Sequence, residues 1–220
     1  MELLEIMKQR HSVRAYTDKV IPTDIKDSLV KLATRCNEES GLAIQVIFND
    51  SKTFTGMLAS YGKFDNVNNY VAIVAKKTKQ NLIKAGYYGE KIVLKAQELG
   101  LNTCWVVSTY NKKNVKAIIN DNEKLICVIA LGYGINNGNA SKSKNIEQVS
   151  NYTKDMPVWF KQGIEAALLA PTAINQQKFY FEYNNDKVSL KTKLGVSTAI
   201  DLGIVKYHFE VISNKEVEII

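Results

Sequence analysis

Only three prolines, three cysteines and two histidines occur in this chain of 220 residues. So few prolines and no Gly/Ser-rich tract argue against a long flexible linker. Cys36, Cys104 and Cys127 are odd in number and lack metal-ligand spacing, and His11 and His208 lie far apart. The pattern argues against metal centres built on Cys/His clusters. No stretch approaches the roughly 18 consecutive apolar residues of a membrane span. The opening Met1-Glu2-Leu3-Leu4-Glu5 shows no basic segment followed by an apolar run, so no secretory signal is read there. The expectation is a protein of the reducing cytoplasm.

What is present is an ordinary globular composition, 45% hydrophobic and 23% charged, long enough to bury a sizeable core. The net charge of +7 allows either a polyanion-binding surface or a Lys-rich solvated surface with a local pocket for a small phosphate. No run of five basic residues occurs; Lys76-Lys77 and Lys142-Ser143-Lys144 are the densest clusters. Aromatic and basic residues do not interleave on any one element, which argues against nucleic acid as a partner.

Apolar spacing predicts a short helix over Leu3–Met7, and a second helix capped by Thr23 and running through Ala33. A long helix is expected over Leu82–Leu99, closed by Gly100. Gln45–Phe48, Tyr70–Ala75, Thr103–Ser108 and Leu125–Leu131 read as strands, and Asn111–Ile119 as helical. Residues 136–155 are a polar surface crossing. Beyond it Pro157 suits a helix start, followed by a helix over Val158–Leu169 and a hairpin over Phe179–Lys191. Another helix is expected from Gly195 to about His208, with a last strand over Phe209–Ser213. Helix and strand orders in 22–108 and 157–213 are similar, as an internal duplication would give.

Two segments about 160 residues apart carry the chemistry. Arg10-His11-Ser12-Val13-Arg14 places two guanidiniums and a hydroxyl at alternate positions, which share one face of an extended segment. An Arg fork donates two hydrogen bonds to a phosphate at once. A solvated basic turn is the plainer reading of the same residues. Ala170-Pro171-Thr172-Ala173-Ile174-Asn175-Gln176-Gln177 follows an amphipathic stretch; its Pro stops the helix and leaves backbone groups and an amide exposed. On its own it is a helix-terminating loop.

Together the two segments resemble the signatures of the nitroreductase family of FMN-dependent oxidoreductases. Arg10 to Tyr16 looks like Arg-Arg-Ser-x-Arg-x-Phe/Tyr, and Ala170 to Phe179 like Ala-Pro-Ser-x-x-Asn-x-Gln-Pro-Trp. Lys178-Phe179 departs from Pro-Trp and puts the closure supplied by that Trp in question. Glu98 to Trp105 is similar to the family's Gly-Leu-Gly-x-Cys-Trp, and Ala130 to Gly134 with Lys142 to Val149 to its Ala-Leu-Gly-Tyr-Pro and Arg-Lys-Pro-Leu-Glu-Glu.

The resemblance implies FMN as cofactor. Arg10 and Ser12 would contact its phosphate and Arg14 the flavin N1/O2 edge; His11 stands where a further Arg is frequent. The loop at Ser108, Thr109 and Tyr110 would offer a backbone N–H to flavin N5. Lys142 and Lys144 would complete the phosphate clamp, or are solvated loop lysines. Pro171, Thr172, Ala173 and Asn175 would meet the pyrimidine edge.

In most of the family the Pro-Ser-x-x-Asn segment follows soon after the first signature and is lent by a partner subunit. Here residues 32–45 lack the Pro, and the good copy lies at 170–177. The expected architecture is an α+β nitroreductase-like fold, a mixed, antiparallel-rich sheet flanked by helices, in one domain over 1–220. Pseudo-repeat halves at about 1–135 and 156–220 would make a fused pseudo-dimer, which permits a monomer. The resemblance further implies an enzyme without a protein acid or base. It would pass hydride from NAD(P)H to a nitroaromatic, quinone or similar flat acceptor. Dehalogenation, dehydrogenation or flavin fragmentation on the same scaffold, and flavin binding without turnover, are the alternatives.

Overall fold

The computed structural model describes residues 2–220. Helix α1 (Leu3–Gln9) buries Ile6 and Met7 and stops at Arg10, which is already extended. Helix α2 (Thr23–Ser40) leads into strand β1 (Ala43–Ile47), and short helix α3 (Met57–Tyr61) into β2 (Asn69–Ala75). Helix α4 (Lys79–Glu98) follows, started by the Thr78 hydroxyl, which accepts from the Asn81 N–H at 3.1 Å. Strands β3 (Asn102–Val106) and β4 (Lys124–Gly132) complete the first half.

After the crossing, which holds one helical turn, α5 (Ile146–Val149), come α6 (Val158–Ala167) and the hairpin β5 (Phe179–Asn184) and β6 (Lys187–Thr192). Helix α7 (Thr198–Ser213) and β7 (Val217–Ile219) end the chain. The strands form two sheets: an antiparallel one in the order β1-β2-β4-β3, and a mixed one, β5-β6-β7, in which β6 and β7 are parallel. Among the described residues no helix is long and apolar enough to cross a membrane.

Strand β2 is nearly all apolar because it is covered on both faces. Val71 and Ile73 join the large core beneath α4 and α7, whereas Tyr70 and Ala72 face a second cluster with Phe54 and Tyr110. Helices α4 and α7 cross through a reciprocal contact. A Cβ on Gly86 would run into the Ile200 carbonyl, and one on Gly203 into the Ile83 carbonyl. Beside this crossing, Glu90 is wholly buried. Its carboxylate accepts from Trp105 Nε1 and pairs with His208 Nε2, each at 2.9 Å. His208 Nδ1 lies 3.0 Å from the Ala166 carbonyl. One carboxylate thus ties together α4, α7, α6 and β3.

The structure corrects three local expectations. Thr23 caps nothing: Pro22 holds the N-cap position, and Thr23 is the first helical residue. The segment 111–119 is helical only over Lys112–Asn114. Thereafter side chains from the sheet hold it out of a helix: the Gln45 amide takes both the N–H and the carbonyl of Ile118, and Tyr70 Oη accepts from the Lys116 N–H. Finally, Phe209–Ser213 is the end of α7 and not a strand. Phe209 is buried against Phe181 and Phe160, and Asn214 ends the helix in the left-handed conformation.

Candidate functional site

The N-terminal signature runs along the free edge of β3. Ser12 bridges to Thr103 in parallel sense, and the Val13 N–H donates to the Thr103 carbonyl at 3.0 Å. Val13 is buried, while Ser12 and Arg14 stay exposed. Arg10, His11, Ser12 and Arg14 line one cavity of about 670 Å³, within the ~300–1,000 Å³ usual for cofactor sites. Arg10 is only 7% exposed, and its Nε has no hydrogen-bond partner. Burial pushes its pKa down, against the pull of the negative field of Glu90. No Asp or Glu lines the cavity. The wall is thus cationic and incompletely satisfied, as an anion site requires.

The opposite wall is the loop after α6. Pro171, Thr172, Ile174, Asn175 and Gln177 line the cavity. Three of its residues are left-handed without being glycine: Ile174 (φ 48°), Asn175 (φ 53°) and Gln177 (φ 44°). Such conformations cost on the order of 1–3 kcal/mol each and persist only where neighbours enforce them. The enforcing contacts are visible. Asp201 accepts from the Ala173 N–H at 3.0 Å and from Gln176 Nε2 at 2.8 Å. Lys144 Nζ donates to the carbonyls of Gln176 (3.1 Å) and Gln177 (2.7 Å). Asn175 Nδ2 donates to the Lys142 carbonyl at 2.8 Å.

Asp201 is buried, and desolvation raises its pKa from 3.8 to about 6, opposed by its two donors. The folded state then binds the proton more tightly than the unfolded chain. Stability should fall as pH rises from about 4 to 6 and level off above that, the reverse of a salt-bridged carboxylate. Urea denaturation across this range should show the slope in the native protein and lose it in Asp201→Asn. An identical slope in the variant would refute the assignment.

The remaining wall comes from the crossing: Asn136, Gly138, Asn139, Ala140, Ser141 and Ser143. Gly138 is left-handed (φ 73°), and a Cβ there would meet the His11 Cβ at 2.9 Å.

The structure brings Arg10, His11, Ser12 and Arg14 together with Pro171, Thr172 and Asn175. Ala173, Lys142 and Lys144 do not line the cavity; Lys144 is spent on holding the opposite wall. Ser108 and Tyr110 do not line it either. Strand β3 ends at Val106, and the chain then dives so that Tyr110 is wholly buried beside Phe54. Thr109 lines an adjoining cleft of about 400 Å³ with Arg14 and Lys63.

Sequence reasoning missed Lys63, which lines both spaces, and Asp201, Ile174 and Gln177. Nothing periodic marks Lys63. Asn137-Gly138, by contrast, is a turn signal that would have marked the third wall.

An α+β chain whose N-terminal basic segment faces a helix-ending loop across an acid-free crevice defines a nitroreductase-like protein. The family described as "Putative TM nitroreductase" matches residues 2–213, and the chain belongs to that family. A "putative nitroreductase" from Thermotoga maritima is similar in structure, with a TM-score of 0.71 at 22% identity; the match covers 98% of this chain and 87% of that one. A nitroreductase from Desulfovibrio desulfuricans, in complex with FMN, matches with a TM-score of 0.55 at 16% identity, over 71% of this chain and 99% of that one. A Bacillus subtilis nitroreductase matches with a TM-score of 0.55 at 15% identity, over 70% and 74%. A comparison with curated proteins returns no match.

Proposed function

We propose that the protein is an FMN-dependent oxidoreductase that uses NAD(P)H to reduce a flat acceptor such as a nitroaromatic or quinone. The observation that carries this is Arg10: a buried guanidinium with an orphan Nε, in a cavity without a carboxylate. A doubly charged phosphate monoester fits that need. Arg10 and the exposed Ser12 would hold the phosphate, while Arg14, further along the same extended segment, would sit at the flavin N1/O2 edge and stabilise negative charge there. The strained 171–177 loop would close the other side with Thr172, Asn175 and the 87%-exposed Ile174. Bound FMN would supply the hydride exchange; the chain contributes binding, orientation and charge. No side chain is assigned as acid or base.

The proposal includes a fused pseudo-dimer. The two facing walls come from the two halves, and the reciprocal Gly86–Ile200 and Gly203–Ile83 contacts are of the kind a twofold-related pair of helices makes. Cys36, Cys104 and Cys127 are free and buried, and burial raises Cys36 to about 11 and Cys127 to about 12. They are inert thiols suited to a reducing cytoplasm.

The test is direct. Purified protein should take up one FMN per chain, lose the flavin colour on anaerobic NADH or NADPH, and regain it with a nitroaromatic. Retained colour without bleaching would make it a flavin binder; no uptake of FMN would remove the reading.

A further inference from the structure

We propose that the cleft beside Arg14 takes a flat aromatic anion and that Lys63 selects its charge; this rests on the flavin reading above and names its acceptor class. Arg14 and Lys63 line both the 670 Å³ cavity and the 400 Å³ cleft, so the two spaces are joined at these cations. No carboxylate lines either space. Among the described residues Lys63 forms no ion pair within 4.0 Å, and neither does Arg14. If Arg14 serves the flavin edge, Lys63 is left without a counter-charge.

Lys63 is presented by a fixed turn and not by a floppy one. It is left-handed (φ 57°) directly after α3, and its N–H donates to the Ser60 carbonyl at 2.9 Å. Two residues on, the Asp65 N–H donates to the Arg14 carbonyl at 2.9 Å, which ties the turn to the N-terminal signature. Gly62 presses on Thr109 so closely that a Cβ would meet its Oγ1 at 2.7 Å. The same cleft carries Tyr61, 83% exposed, and Phe64, whose ring is anchored on Phe54 at 4.9 Å.

An exposed phenol ring beside a free ammonium suits an aromatic ring bearing a carboxylate or phenolate. The nicotinamide ring carries a neutral amide in that place, although its dinucleotide is anionic elsewhere, so the preference concerns the ring substituent alone.

The test uses FMN-loaded protein without reductant, titrated with 4-nitrobenzoate and with its neutral isostere 4-nitrobenzamide while the flavin spectrum is followed. The carboxylate should bind about fivefold to tenfold more tightly than the amide, the size of one charge-assisted contact partly screened by water. Lys63→Gln should erase that ratio, and Lys63→Arg should restore it. Tyr61→Ala should weaken both ligands together. Because the ratio is the readout, any general loss of fold or flavin cancels. Equal affinities in the native protein, or a preference that survives Lys63→Gln, would overturn the proposal while leaving the flavin site standing. Failure to load FMN at all would overturn both.

Discussion

Arg10→Met should weaken FMN binding about 100-fold, the loss expected when the charge-assisted hydrogen bonds of a guanidinium are removed together. In the FMN-free protein the same change should be neutral or stabilising, by about 1 kcal/mol. Methionine fills similar space without a buried charge, and Arg10 is 7% exposed with its Nε unpartnered. Glu90 loses little, because His208 and Trp105 already satisfy its two oxygens. Arg10→Lys keeps the charge but not the fork and should fall between. Fluorescence titration of FMN and urea denaturation of the flavin-free protein check the two halves of the expectation. Unchanged FMN affinity in Arg10→Met would remove this residue from the site.

The second large effect lies at the crossing of α4 and α7. In a solvent-exposed helix interior, Gly→Ala stabilises by about 1 kcal/mol. Here Gly86→Ala and Gly203→Ala should each destabilise by about 3 kcal/mol. Each new methyl would strike a backbone carbonyl, Ile200 O or Ile83 O, which cannot swing aside as a side-chain tip can. The sign of the change is therefore diagnostic. Once one methyl has pushed the helices apart the second should cost less, so the double variant should fall short of the sum. Calorimetric or denaturant midpoints of the three variants measure this; a stabilising Gly→Ala would mean the helices are not in contact there.

Legibility followed the physics of exposure. Helix α4 could be read closely from the sequence because one face meets solvent and Gly100 marks its end in the left-handed conformation (φ 78°). The end of α7 could not, since Leu202, Ile204, Val205, Tyr207 and Phe209 are buried around most of the helix and no polar stripe remains to set a period. Segment 111–119 misled because its conformation is imposed by Gln45 and Tyr70, more than 40 residues away in sequence. Of the residues that line the cavity, Arg10, Ser12, Arg14, Pro171, Thr172 and Asn175 are marked by motif. Lys63 and Asp201 are not: one arrives by a turn, and the other acts through the backbone of Ala173.

The two facing walls of the crevice belong to one chain. When the walls of a crevice belong to separate chains, dilution pulls them apart and the crevice empties with them. Here a covalent chain joins residues 10–14 to residues 170–177, so the walls meet at an effective concentration that no dilution lowers. Ligand occupancy should then depend on free ligand alone. Each wall can also be altered in single copy, whereas in a symmetric pair every substitution is made twice.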